Sequence, residues 1–305
     1  MKVFLARRLV YSVVLVLATT IFVFVMSRQS GDPRHLFMSE QSTQEEWDAW
    51  GVELGLDKPL YLQYVIWLGN ALTGDFGESI RQRRPALDVV IERIPATAEL
   101  ALGSFLFSVA TGIPLGVLSA LKRGSILDYL GRTFALIGQA APVFWLGIVL
   151  VLIFSVNLGW LPVARRGGLE HYILPSITLG WLFASSFLRL TRSAMLEVLD
   201  SEFIKFARAK GVHDTRVIWK HAFRNALLPS LTYAGILLAG LITGAVITET
   251  IFSWPGLGSL AVTSVLQLDF PVLTAVVCVI TLAYAGMSVI VDFTYALADP
   301  RIRLE

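Results

Sequence analysis

Six apolar runs, near residues 9–27, 97–121, 134–157, 172–191, 229–251 and 272–297, limit this chain more than any other feature. A helix that crosses a bilayer takes roughly 20 residues, and each run can supply one. In hydrocarbon every backbone N–H and C=O must find a partner within the protein, so such runs read as helices. Composition agrees: 16% of residues are charged, against about 25% in soluble domains. The expected fold is all-α and integral to the membrane, with six transmembrane helices in one domain over 1–305.

The first run follows Lys2, Arg7 and Arg8 and so resembles a signal peptide. It is longer than such a segment needs, and Met26-Ser-Arg28 offers no small-x-small cleavage site, so an uncleaved first span is expected. Orientation follows from Lys and Arg in the short loops. With the N-terminus inside, the inner segments hold Lys122, Arg123 and Arg132, a dense basic group over 189–224, and Arg301 and Arg303. The two short outer loops hold only Arg165 and Arg166. Both termini are therefore expected in the cytoplasm.

Residues 28–96 form a large extracytoplasmic loop with short helices. Thr43-Gln-Glu-Glu46 fits a capping box opening a helix over 44–53, which Gly55 closes. Pro59 suits the first turn of a second helix, whose Leu60, Tyr64, Trp67, Leu68 and Leu72 recur at helical spacing. That stripe reads equally as an interfacial face and as a surface packed on the spans. The excess of acids here is taken as solvated charge.

Within the spans, Glu99, Arg189, Glu249 and Asp292 all lie within about two turns of a span end. An ion-coupled secondary carrier needs carboxylates or broken helices near the midplane, so that class is the rival this pattern disfavours. Asp292 is expected to pair with Arg189 or Arg192. Gly112-x-x-x-Gly116 and Gly240-x-x-x-Gly244 fit close helix packing, and Trp67, Trp160 and Trp254 fit interfacial anchors. The lone cysteine, Cys278, cannot form an intrachain disulfide. His35, His171, His213 and His221 are scattered, and no phosphate-binding Gly-Lys-Ser/Thr loop occurs. An enzyme is not expected, nor a metal site, a cofactor on this chain or a nucleic-acid partner.

The cytoplasmic loop 192–228 is the richest remaining surface. Asp200 can cap a helix over about 200–211 on which Phe203, Phe206, Ala207 and Ala209 share roughly one side. Gly211 suits a left-handed stop. A second helix can run from Asp214 to Leu228-Pro229. The bland reading is a basic amphipathic hairpin resting on lipid.

The spacing resembles the coupling loop of ABC importer permeases: Glu-Ala-Ala, three residues, Gly, then a Leu-Pro opening the next span. Here the leading positions are Lys205-Phe206-Ala207, so only Ala207 and Gly211 match, and Leu228-Pro229 lies further on. Both departures are similar to the dipeptide, oligopeptide and nickel importer branch, through Ala207-Arg-Ala-Lys-Gly211 and His221-Ala-Phe-Arg-Asn-Ala-Leu-Leu-Pro229. The likeness extends over Gly31-Asp-Pro33, Leu54-Gly-Leu-Asp-Lys-Pro-Leu60, Gly74-Asp-Phe-Gly-Glu-Ser79 and Arg93-Ile-Pro-Ala-Thr97. It continues through Gly159-Trp-Leu-Pro162, Glu249-Thr-Ile-Phe-Ser-Trp-Pro-Gly-Leu-Gly258 and Asp299-Pro-Arg-Ile-Arg303. The chain is identified as resembling the dipeptide-permease B type.

That resemblance implies a type I (MetI-like) permease fold in a bacterial or archaeal inner membrane. It implies a homologous second permease, two ATP-binding cassette subunits holding ATP and Mg, and an extracytoplasmic binding protein. Peptide cargo is expected, with nickel, glutathione and oligosaccharide as alternatives. Glu202, Phe203, Phe206, Ala207, Arg208, Ala209, Lys210 and Gly211 would form the ATPase-coupling helix, with Phe203, Phe206 and Ala207 in the ATPase groove. Asn225, Leu228 and Pro229 would end the loop.

Overall fold

The computed structural model describes residues 2–29, 43–53 and 56–298. Gly31-Asp-Pro33, Gly55, Asp299-Pro-Arg-Ile-Arg303 and the side chains of Glu46 and Asp292 lie outside the described structure. The described chain is helical, with one isolated antiparallel bridge between Glu78 and Pro85. Helices Lys2–Gln29, Ile94–Leu121, Glu170–Leu199, Leu228–Ile251 and Phe270–Ala298 coincide with five of the six apolar runs. Among the described residues, 4 helices are long and apolar enough to cross a membrane, or up to 5 with one bent pair.

That bent pair is the third apolar run. A continuous helix was expected over 134–157, but Ile126–Ala140 and Val143–Asn157 meet at 114°. Pro142 has no N–H to donate, and its ring drives the residue before it out of the helical region. Ala141 accordingly adopts φ −76 and ψ 129. Beyond Leu150 the helix continues as a π-helical stretch, Val151–Asn157.

The chain divides into two compact units. The first holds Met1–Pro95 and Ser259–Val289. In it, the helix Leu60–Leu72 lies against the N-terminal helix. The Tyr64 hydroxyl and Thr20 share a 2.9 Å hydrogen bond, and Phe24, Tyr64 and Trp67 form an aromatic cluster. This bears out the packed reading of the Tyr64–Trp67 stripe, although Leu60 and Leu72 remain exposed. The loop after Gly77 is pinned by buried Asp269, which accepts hydrogen bonds from Ser79 Oγ (2.6 Å) and Ile80 N (3.2 Å).

The second unit comprises Ala96–Gly258 and the chain from Ile290. Its organising contact is a close crossing of helices Ile94–Leu121 and Glu170–Leu199. A Cβ at Gly116 would stand 2.8 Å from the Leu188 carbonyl oxygen, and one at Gly180 would stand 2.7 Å from that of Ser104. Gly112 faces the Ala184 carbonyl at equally close range. Ser108 Oγ bridges the pair by donating to the carbonyls of Ser104 (2.6 Å) and Gly180 (2.8 Å). The first glycine pair therefore makes the expected close packing. At Gly240 an added Cβ would meet nothing within 4 Å, and Gly244 lies outside the described side chains.

A Gly116→Ala change pushes a methyl into the Leu188 backbone and should destabilise the protein by roughly 1–3 kcal/mol. Gly69→Ala, in open space on the helix Leu60–Leu72, should cost nothing. Thermal unfolding in detergent distinguishes the two, and equal midpoints would refute the crossing.

Candidate functional site

The segment after helix Glu170–Leu199 differs in register from the expected one. Asp200 is not an N-cap: it closes the preceding helix, its N–H bonded to the Leu196 carbonyl while the Ser201 N–H takes that of Val198. Ser201 is the extended residue that starts the next helix, Glu202–Ala209, which is shorter than 200–211. Gly211 ends the turn at φ +77 and donates its N–H to the Arg208 carbonyl. Left-handed backbone of this kind is available to glycine without a Cβ penalty.

The two faces of this helix differ sharply. Ile204 is fully buried, and Ala207, three residues on, is half-buried on the same side. They pack on Val117 and Ala120 at the end of one long helix, Met195 at the end of another, and Val217, Ala222 and Ala226 of the following segment. Burying one Ile side chain contributes about 1.5–3 kcal/mol. Ala207 thus belongs to the chain's own core and leaves the outward group expected for it. Phe203 and Phe206 point away, 47% and 61% exposed. Glu202, Arg208, Ala209 and Lys210 are exposed as well, with Lys210 Nζ 4.5 Å above the Phe206 ring. Ile204 is the residue that sequence reasoning missed. Its signal was the three-residue spacing to Ala207, obscured by the nearby phenylalanines.

The return strand of this hairpin opens at Asp214, with His213 Nδ1 accepting from Thr215 N at 3.3 Å. A π-helical stretch, Val217–Phe223, follows. Asn225 Nδ2 donates to the His221 carbonyl at 2.7 Å, Leu228 is exposed, and Pro229 sits in the first turn of helix Leu228–Ile251. A buried 2.9 Å hydrogen bond between Thr191 and Ser230 ties that turn to helix Glu170–Leu199.

One turn above this cluster sits a buried ion pair. Arg192 donates to both carboxylate oxygens of Asp128, at 2.8 and 3.0 Å. Ser119 Oγ (2.5 Å) and Gly124 N (3.0 Å) also donate to the carboxylate. The expected Asp292 partnership falls on a side chain outside the described structure. Asp128, at the start of its helix, is buried beside Ser119. Arg189 bonds the Gln139 side-chain oxygen.

The opposite end of the second unit carries a separate polar knot. Glu99 accepts two hydrogen bonds from Arg166 and one from Tyr172. The Glu99 carboxylate raises the Arg166 pKa by these bonds, with the Tyr172 hydroxyl second. Fully buried Glu249 accepts from Thr97 Oγ1 at 2.6 Å, and Thr97 in turn accepts from Leu257 N at 2.8 Å. Trp254 is completely buried, its indole N–H bonded to the Ala96 carbonyl at 2.7 Å. It is a core anchor and not the interfacial residue expected. Trp160 is exposed. Among the described residues no group of three or more His, Cys, Asp or Glu could hold a metal ion. The inward face of the helix Glu202–Ala209 is seated on the helix ends, and its aromatic face is exposed.

Residues 112–304 match the family described as binding-protein-dependent transport system inner membrane component, and residues 1–101 match that family's N-terminal component. Among similar proteins are the Di/tripeptide transport system permease protein DppB of Pseudomonas aeruginosa (38% identical, 98% of each chain covered) and the Oligopeptide transport system permease protein AppB of Bacillus subtilis (40%, 99% of each). The Glutathione transport system permease protein GsiC of Escherichia coli is 38% identical over 94% of each chain. Among solved structures, an inward-facing MetNI methionine ABC transporter aligns at TM-score 0.52 and 21% identity. That match covers 67% of this chain and 95% of the other.

Breaking the buried pair by Asp128→Asn leaves Arg192 without its counter-charge and should cost about 3–5 kcal/mol. A thermal melt of the purified protein reads this directly, and an unchanged midpoint would show that the pair is dispensable.

Proposed function

We infer the function from one premise: the chain belongs to the family of binding-protein-dependent transport system inner membrane components. It is a membrane permease subunit and not an enzyme, with an all-helical, MetI-like fold. Its proposed role is the import of di- and oligopeptides, glutathione included as a tripeptide. Relatives named for peptide and glutathione transport over nearly their whole length support that cargo class. A homologous second permease completes the pathway, an extracytoplasmic binding protein delivers cargo, and two ATPase subunits carry ATP and Mg.

In this reading six spans cross a bacterial inner membrane with both termini cytoplasmic, the bent pair counting as the third. Residues 28–96 face outward and 192–228 form the cytoplasmic coupling loop. The helix Glu202–Ala209 is the lever. The observation that carries the proposal is its division of labour: Ile204 is locked into the chain's own helix ends while Phe203 and Phe206 stand in solvent. Large exposed aromatics beside a buried anchor suit a groove on a partner, where aromatic anchors supply most of the binding energy. A displacement of the ATPases then reaches Met195 and Val117 through close-packed side chains, which transmit strain.

Replacing Phe203 and Phe206 together by Ala should cut ATPase co-purification by about tenfold or more, the worth of an interface hot spot, with the permease still membrane-inserted. Full recovery of ATPase would sink the lever assignment. Gly211→Val forces a β-branched residue into left-handed backbone, at about 1–2 kcal/mol. Uptake should fall while ATP hydrolysis by the assembled importer persists; uptake equal to wild type would contradict the proposed stop.

A further inference from the structure

A groove of about 780 Å³ opens on the second unit, between helix Ile126–Ala140 and the segment Ser186–Ser193, with Tyr233 on its wall. Its wall is mostly apolar, with Gln139, Ser186, Arg189, Ser193 and Tyr233 among its few polar contributors, the make-up of a small-molecule cleft. The Tyr233 ring packs edge-on against Phe187. Arg189 lies ten residues before Leu199, about 15 Å along the axis from the coupling helix. A charge at such depth faces the bundle interior or a water-filled cavity, because lipid tails cannot solvate it.

The arginines of this unit are treated differently. Arg166 and Arg192 each hold a carboxylate with two nitrogens. Arg132, also on the groove, reaches Asp128 at 3.8 Å and covers the Tyr129 ring. Arg189 is exposed, and its hydrogen-bond partner among the described residues is the neutral Gln139 amide. Among the described residues its guanidinium retains donors and meets no carboxylate.

We propose that this groove is a transient cargo site in the permease itself, in which Arg189 receives the terminal carboxylate of a peptide and Gln139 and Tyr233 flank it. The proposal rests on the peptide-import reading and adds the atom group that the path recognises. Every peptide with a free C-terminus presents a carboxylate, so one arginine serves many side-chain compositions. A guanidinium offers the paired donors that a carboxylate accepts. An acidic lipid headgroup could also meet Arg189. Trialanine and phospholipid give different crosslinked adducts at the groove wall, which tells the two occupants apart.

The test uses the complete importer, with its partner permease, ATPases and binding protein, in proteoliposomes and with trialanine as probe. Arg189→Gln should lower ATP-driven trialanine uptake about tenfold to a hundredfold, the worth of one charge-assisted hydrogen-bonded contact. ATP hydrolysis stimulated by the binding protein should persist, and Arg189→Lys should recover part of the uptake. In parallel, a benzophenone side chain placed at Leu136, 68% exposed on the groove wall, should crosslink trialanine during turnover, and less so when Arg189→Gln is added. Unchanged uptake in Arg189→Gln, or adducts with phospholipid in place of trialanine, overturns the site. If Arg189→Gln fails to assemble, the benzophenone adduct in otherwise wild-type protein decides. Absence of trialanine uptake by the wild-type importer would instead refute the peptide-import reading on which this rests.

Discussion

Backbone-to-backbone contact between helices Ile94–Leu121 and Glu170–Leu199 is the constraint on which the second unit depends. Between membrane helices the hydrophobic effect supplies little, since lipid tails are as apolar as leucine; association comes from van der Waals contact and hydrogen bonds. Gly112, Gly116 and Gly180 strip side chains from the crossing, so carbonyls of one helix meet the Cα atoms of the other. Ser108 adds a hydrogen bond to the Gly180 carbonyl without bringing in a charge. Every other element of the unit is hung on this pair: Ile126–Ala140 packs Gly138 against Trp181 and Ser185, and Leu228–Ile251 contributes Leu237 and Leu241 to the Phe187 cluster.

With the middle of the unit apolar and close-packed, its polar fastenings fall at the ends. At one end Thr97 and Glu249 clasp the loop carrying Trp254, and Glu99 ties Arg166 and Tyr172. At the other, Asp128 and Arg192 bind three helical segments together just above the seat of Ile204. A buried ion pair is weak evidence of net stability, because desolvation offsets most of the attraction. Its geometric demand is strict, however, since a bidentate fork accepts a carboxylate in one plane. The pair therefore fixes the rotation of helix Ile126–Ala140 against helix Glu170–Leu199 where a lever would act.

Much of this was legible from sequence because lipid enforces it. Five apolar runs became helices close to their expected limits, and Thr43 and Pro59 preceded helices at Gln44 and Leu60. The bend at Ala141 escaped notice because Pro142 sits in an unbroken apolar run, where hydropathy continues through a change of direction. The side-chain pairings were less legible still. Asp128, nine residues from Ser119 and 64 from Arg192, carries no mark of burial in the sequence, and only the fold shows it buried. Trp254 looked interfacial because indoles usually are, yet Ala96 and Thr97 turn its loop inward. In the helix Glu202–Ala209, periodicity over eight positions was too short to say which face was inside.

The disposition of arginines separates scaffold from working surface. A guanidinium cannot shed its proton in a protein, so one placed within a membrane bundle must be compensated in place or left to a polar space. Arg192 is compensated inside the described structure, and its loss would be felt as instability. Arg189, one helical turn earlier, is set against a neutral amide beside an open groove. Two positions three apart on one helix thus carry opposite solutions to the same electrostatic problem. The difference lies in which neighbour meets them: a buried carboxylate on the first turn of helix Ile126–Ala140, or Gln139 at its last.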